Sequence, residues 1–332
     1  MNLYLFNDND SAAVYGIGTY IKELTLALEE SEIHVHIVHL HSVRPKFEIV
    51  KTNQVEEWYI PEIRKEKTLS ILEQWLLTID EDESLLYKAV DRVIALSGYT
   101  QKFLCSEYHI DPSKITVFPN GLDDISLELE TDRDMLRRKW RISENEFVIL
   151  FVGRLHPVKG LIFLIRAFRK VLETIPDCRL IIAGNGQFDS YMEGCEDIYA
   201  KVTWTGLLSK KKLYELYSIA DIGVMPSFHE QCSYVAIEMM RHGIPLIVSA
   251  SAGLNEMVEE GKSGLHVPVI EYPDKMDIDT TLLTGKMIHL LQNTGERQRM
   301  RINARQRYLE KYALPVFKKN MLDFYHSLIN RL

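Results

Sequence analysis

The chain has 332 residues, 46% hydrophobic and 26% charged, long enough for two ordinary domains and too apolar for a disordered chain. A formal net charge of −8 and a pI near 5.8 exclude nucleic acid as the main partner, since phosphate contacts need a basic field. Cys105, Cys178, Cys195 and Cys232 show no CxxC pair and no metal-ligand spacing. With no signal peptide and no long apolar run, a cytoplasmic protein without a transmembrane segment is expected; peripheral membrane contact and oligomeric state stay open.

Asn2 to Phe6 reads as a buried strand, followed by a polar loop that leads to Gly16-Ile17-Gly18. Ile17, Tyr20, Ile21, Leu24 and Leu28 then recur at helical spacing. A strand, a glycine loop and a helix let a ligand approach the backbone at a helix start, although a plain tight turn explains the same glycines. In the run from His34 to His39, strand alternation puts His34 and His36 on one face and His39 on the other. A tetrahedral metal site needs more ligands, so solvated or hydrogen-bonded strand histidines are expected.

Strands are expected over 47–50 and 55–60, then a solvated basic patch at 64–67 and a short helix over 68–77. Asp80-Glu81-Asp82 matches the DxD pattern that holds a divalent ion in one class of glycosyltransferases. Acidic residues also open helices, where they complement the helix dipole, and Asp132-Arg133-Asp134 repeats the pattern. The helix-start reading is preferred for both, and no metal site is assigned. A strand over 91–96, a helix over 97–107 and a strand over 114–118 precede an acidic, aperiodic stretch, 122–132, expected to be the inter-domain linker.

From Glu146 strands and helices alternate regularly, which implies a parallel sheet with helices on both faces. The helix over 161–172 is expected to bury Leu161, Leu164, Ile165, Phe168 and Leu172 and to expose Arg166, Arg169 and Lys170. Helices over 280–292, 296–312 and 316–332 close the chain.

The chemistry gathers around residues 226–240. Glu230 falls at a loop-to-helix junction and Glu238 two helical turns later, with the helix starting near Cys232 or Ser233. The amides of Gln231, Cys232, Ser233 and Tyr234 would lie beside Glu230, and a helix start is an anion site by geometry and dipole. Phosphate plus hydroxyl-binding carboxylates describes a sugar nucleotide. Arg154 and Lys159 follow the strand over 147–152, at the carboxyl end where open α/β sheets bind ligands. A planar guanidinium beside a mobile ammonium suits a departing diphosphate. The turn at Gly184-Asn185-Gly186 leaves room for a nucleobase.

In order, GRLHPVKG (153–160), AGNGQ (183–187), VTWTG (202–206) and PSFHEQCSYVAIEMM (226–240) resemble the retaining GT-B glycosyltransferases of the family 4 type, including the E-x7-E spacing of Glu230 and Glu238. The resemblance covers Lys114 to about Val267, and more weakly Met1 to Leu28 and Asp91 to Thr100. It implies an α/β fold of two Rossmann-like doubly wound domains facing a cleft. The first would comprise 1–124 with 315–332, and the second, nucleotide-sugar-binding, 125–314. It also implies that Arg154 and Lys159 grip the donor diphosphate, Glu230 contacts the donor sugar and Glu238 the ribose. The amides from Gln231 to Tyr234 would cap phosphate and sugar, with Gly16 and Gly18 near the donor phosphate. No cofactor or metal is implied beyond the donor, a UDP-sugar foremost, with GDP- and ADP-sugars as alternatives.

Two departures bear on function. The stretch 61–90 is shorter than the family's and lacks the histidine found near its reacting sugar, and Gln231-Cys232-Ser233-Tyr234 replaces the family's Phe-Gly or Ser-Gly after Glu230. Glycosyl transfer to a saccharide, lipid-linked or peptide acceptor is the leading expectation. A donor-binding protein or partner subunit without turnover, and an epimerase or hydrolase on the same architecture, are the alternatives.

Overall fold

The structure is a computed structural model and describes residues 2–7, 16–29, 31–42, 44, 46–52, 55–61, 87, 90–124 and 132–329. The expected helix over 68–77, the basic patch at 64–67 and Asp80-Glu81-Asp82 lie outside the described residues. The chain divides into two compact units. One holds Met1–Leu96, Thr100–Asp123 and Lys311–Leu332; the other holds Ser97–Tyr99 and Asp124–Glu310.

In the first unit, β1 (Asn2–Asn7), β2 (His34–Ser42), β3 (Glu48–Thr52) and β4 (Val55–Pro61) form a sheet of order β1-β2-β4-β3. β1, β2 and β4 run parallel, while β3 is antiparallel to β4. The sheet is therefore mixed rather than wholly parallel. Only residues 53 and 54 separate β3 from β4, and so short a connection makes a hairpin, whereas a parallel neighbour needs a long crossover. The register aligns Leu3 with Val35 and Val55, and Leu5 with Ile37. Helices Gly16–Leu28 and Leu314–Ile329 pack together and cover that face with Leu24, Ala27, Leu28, Phe317, Met321 and Tyr325.

Gly16 and Gly18 belong to the first turn of the first helix, which corrects their expected place in a loop before it. The strand histidines behave as alternation predicts: His34 is exposed, whereas His39 is buried and stacked on Tyr59 at 4.6 Å, with Glu57 3.5 Å away. His36 lies 3.3 Å from both Asn2 and Glu56 and stacks on Tyr4 at 4.5 Å. β5 (Val93–Ala95) and β6 (Ile115–Val117) form a separate parallel pair.

The second unit is built on β7 (Phe147–Val152), β8 (Cys178–Ala183), β9 (Val202–Gly206), β10 (Ile222–Met225), β11 (Leu246–Ser249) and β12 (Gly264–Val267). All pairs are parallel and the order is β12-β11-β10-β7-β8-β9. The chain walks outward from β7 to β9, returns to place β10 on the other side of β7, and walks outward again. Strand order thus reverses between β7 and β10, the switch point at which such sheets open a crevice beyond their carboxyl ends.

Helix Leu161–Thr174 buries Leu161, Leu164, Ile165, Ala167, Phe168 and Val171. Leu172, expected in that set, is only partly buried. By helix geometry it falls within the arc of Leu161 and Phe168, and it packs against the same core from the last turn of the helix. Asp132 accepts from the Asp134 amide at 3.2 Å as the cap of helix Arg133–Lys139, the role preferred for that acidic pair. Two short helices, Asp189–Glu193 and Ala252–Met257, and the antiparallel pair β13 (Val269–Glu271) and β14 (Met276–Ile278) carried no sequence expectation.

Candidate functional site

The segment after β7 and the segment after β10 meet at the switch point. The Phe228 amide donates to the Val158 carbonyl at 2.8 Å. Gly160, at φ 65°, lies so close to the second segment that a Cβ there would sit 2.0 Å from the Pro226 carbonyl oxygen. A side chain is barred both by the left-handed backbone and by the lack of space. This approach brings the Lys159 ammonium onto Glu230 in an ion pair, and the Ser227 hydroxyl donates to the same Glu230 oxygen at 3.2 Å.

Buried serines hold that second segment. Ser249 and Ser251, at and just past the end of β11, both donate their hydroxyls to the Ser227 carbonyl, the latter at 2.6 Å. The Gly253 amide, in the first turn of helix Ala252–Met257, donates to the Glu230 carbonyl at 2.7 Å. Each bond satisfies a backbone oxygen that would otherwise be costly to bury. The loop bearing Glu230 is thereby fixed from behind.

Arg154 is exposed and makes no ion pair among the described residues, so its guanidinium is available to an anion. The segment after β8 runs beside it: Leu155 donates to the Asn185 carbonyl at 2.8 Å, and Gln187 to the Leu155 carbonyl at 2.9 Å. A Cβ on Gly184 would lie 1.8 Å from the Gly153 carbonyl oxygen, and one on Gly186 would lie 2.4 Å from that of Leu155. Close backbone packing thus accounts for both glycines, independently of any nucleobase.

Helix Tyr234–Arg241 begins after Ser233, one residue beyond the expected start. Its first internal bond runs from the Ile237 amide to the Ser233 carbonyl at 3.1 Å, so the amides of Tyr234, Val235 and Ala236 have no acceptor within the helix. The Ser233 amide faces the Met257 sulfur at 3.3 Å. Gln231 is exposed, Tyr234 half-buried, and Cys232 a buried thiol.

Glu238 is half-buried, and its Oε2 accepts from the Tyr217 hydroxyl at 2.7 Å. Burial raises its carboxyl above the usual range, opposed by the Tyr217 hydrogen bond and by the fields of Arg241 and Lys210. Tyr217 is fully buried, and desolvation together with the Glu238 charge pushes its phenol well up, so it is the donor. No described contact joins Glu230 to Glu238; each has its own partner. Tyr217, Ser249 and Ser251 were not identified in the sequence. A tyrosine on the apolar face of a helix reads as core, and serines after a strand read as a loop.

Residues 132–307 match the family model of group 1 glycosyl transferases, and residues 57–125 match that of glycosyltransferase family 4. The chain belongs to the group 1 glycosyl transferases. Over 241 residues it is 32% identical to an uncharacterized glycosyltransferase of Methanocaldococcus jannaschii, covering 70% of this chain and 59% of that protein. Over 204 residues it is 27% identical to an alpha-D-kanosaminyltransferase of Streptomyces kanamyceticus, covering 60% of this chain and 50% of the relative. The chain thus spans about half to three-fifths of the length of these curated relatives. Sucrose-phosphate synthase from Thermosynechococcus elongatus superimposes with a TM-score of 0.79 at 19% identity, covering 100% of both chains. Anabaena HepE, solved in complex with UDP and glucose, superimposes with a TM-score of 0.75 at 15% identity over 98% of this chain and 100% of HepE. The fold is that of the GT-B glycosyltransferases, α/β, with a wholly parallel sheet in the second unit and a mainly parallel one in the first.

Proposed function

We propose that this group 1 glycosyl transferase moves a sugar from a nucleotide-sugar donor to an acceptor hydroxyl, with retention of anomeric configuration and without a metal ion. The observation that carries the reading is the ion pair of Lys159 with Glu230 at the β7/β10 switch point. It places a mobile cation and a hydroxyl-binding carboxylate together where open α/β sheets take ligands. Arg154 and Lys159 would hold the diphosphate and Glu230 the sugar hydroxyls. Glu238 would hold the ribose, and the amides of Gln231, Cys232 and Tyr234 the phosphate and sugar; that of Ser233, expected with them, is taken by the Met257 sulfur. Gly184 and Gly186 set the backbone beside the base.

In the transfer, the bond from the anomeric carbon to the diphosphate breaks while the acceptor oxygen bonds to that carbon on the same face. The acceptor proton passes to the departing diphosphate, whose growing charge Arg154 and Lys159 stabilise. These fixed cations do the neutralising for which other enzymes recruit a divalent ion. A UDP-sugar is the donor proposed first, since HepE has been solved with UDP and glucose; GDP- and ADP-sugars are the alternatives. A cytoplasmic setting is proposed with it, and the acceptor is assigned only as a saccharide, lipid-linked sugar or peptide.

A thermal-shift screen with UDP-, GDP-, ADP- and dTDP-sugars tests the donor, because a ligand that binds only the folded chain raises its melting temperature. One base is expected to give a clear shift, and no shift with any of the four overturns the reading. NMR of the product should show the donor's anomeric configuration; the opposite anomer rules out retention.

A further inference from the structure

We propose that Tyr217 is a positioning residue that fixes which oxygen of Glu238 faces the nucleotide, and thereby sets a preference for ribonucleotides over their deoxy counterparts. The inference rests on the donor-site reading above, in which Glu238 receives ribose hydroxyls.

Tyr217 lies on helix Lys210–Ile219 and Glu238 on helix Tyr234–Arg241, so the bond between them ties two elements of the second unit together. The tyrosine ring has no freedom to leave. It is 0% exposed, and the His242 ring packs 4.8 Å from it. His242 is itself held, its Nδ1 2.7 Å from the Glu238 backbone carbonyl. The phenol thus occupies Oε2 of the carboxylate, and Oε1 accepts no hydrogen bond among the described residues. A carboxylate with one oxygen occupied and the other open accepts from a vicinal diol in one orientation. Without Tyr217 the carboxylate rotates between two, and the ordering cost falls on ligand binding.

The charged and titratable groups that act on this carboxylate are Tyr217, Arg241 and Lys210. All three favour its ionised form against burial. Removing the Tyr217 hydroxyl therefore raises the pH below which Glu238 is protonated and stops acting as a full acceptor. A residue that only filled space would leave that pH unchanged.

The test is calorimetry with UDP, GDP and ADP and their 2′,3′-dideoxy counterparts, on the full chain. With the base that binds, Tyr217→Phe is expected to weaken the ribonucleotide about tenfold and leave the dideoxynucleotide unchanged. In the Glu238→Gln background Tyr217→Phe should change neither, and in the single variant the acid-side loss of affinity should begin at higher pH. An equal loss on both ligands, or no loss, overturns the inference while leaving the donor site standing. No binding of any diphosphate by the unaltered chain overturns the donor-site reading, and the inference with it. Should Tyr217→Phe fail to fold by circular dichroism, 3-fluorotyrosine placed at position 217, a more acidic phenol that donates more strongly to Oε2, should move the acid-side loss of ribonucleotide affinity to lower pH and leave the dideoxynucleotide unchanged; an unmoved pH profile overturns the inference.

Discussion

Lys159 pairs with Glu230, and its ammonium has three donors, so it can keep that carboxylate and still take a phosphate oxygen. Lys159→Ala is expected to weaken nucleotide-sugar binding about ten- to hundredfold, the usual cost of a charge-assisted contact. Unchanged affinity in calorimetry would remove Lys159 from the site. His242 gives a second expectation at this scale. Burial pushes its imidazole down to about 4, whereas in the unfolded chain it titrates near 6.5. The unfolded state binds more protons between those values, so stability rises with pH across that window and is lost as pH falls through it. Between pH 7 and pH 5 the loss amounts to about 2 kcal/mol. Urea denaturation at the two pH values should show His242→Gln losing less than the unaltered chain. Arg154, Lys159, Glu230 and Glu238 were all legible as candidates, because cations after a strand and acids at a helix start are sequence patterns. Tyr217 was not legible, since its role depends on a helix contributed by a separate stretch of chain.

Among elements, the most legible were those whose period was unbroken. β7, a run of six apolar residues, occupies Phe147–Val152 as expected. The last helix was equally plain as an amphipathic segment, but periodicity said only that it had a buried face. The structure shows what covers that face. Phe317 is 2% exposed, lies edge-on to Tyr20 at 6.1 Å, and sits where a Cβ on Gly121 would be 2.3 Å from its own Cβ. Phe317→Ala is expected to cost about 3–5 kcal/mol, as for other buried aromatic truncations. Thermal denaturation followed by limited proteolysis should then show first cleavage within the first unit. The hairpin of β3 and β4 was foreseen as two strands but not as an antiparallel pair, because pairing partners are set by the connection and the neighbouring strand rather than by composition.

For the whole molecule, a net charge of −8 makes the cations at the switch point a local exception in an acidic chain. Under the proposed function, anionic donors would depend on placed side chains rather than on a general field. If those cations suffice, transfer should persist in EDTA. A strict requirement for Mg²⁺ or Mn²⁺ would instead make Asp80 and Asp82 the first residues to substitute. Stability is divided as well: the second unit buries a continuous core from Ile149 to Met300, and the first has its own around Leu24, Val35 and Phe317.

The sequence by itself determined the alternation of strands and helices from Glu146 onward, the helix behind Glu230 and the candidate grip residues, because each depends on neighbours within one or two turns of chain. Only the tertiary structure decided that β10 returns beside β7, that Gly160 lies against Pro226, and that Lys159 meets Glu230 while Tyr217 holds Glu238. Those contacts join residues 21 to 73 positions apart. Strand order and close backbone approach bring them together, and neither leaves a periodic trace in the chain.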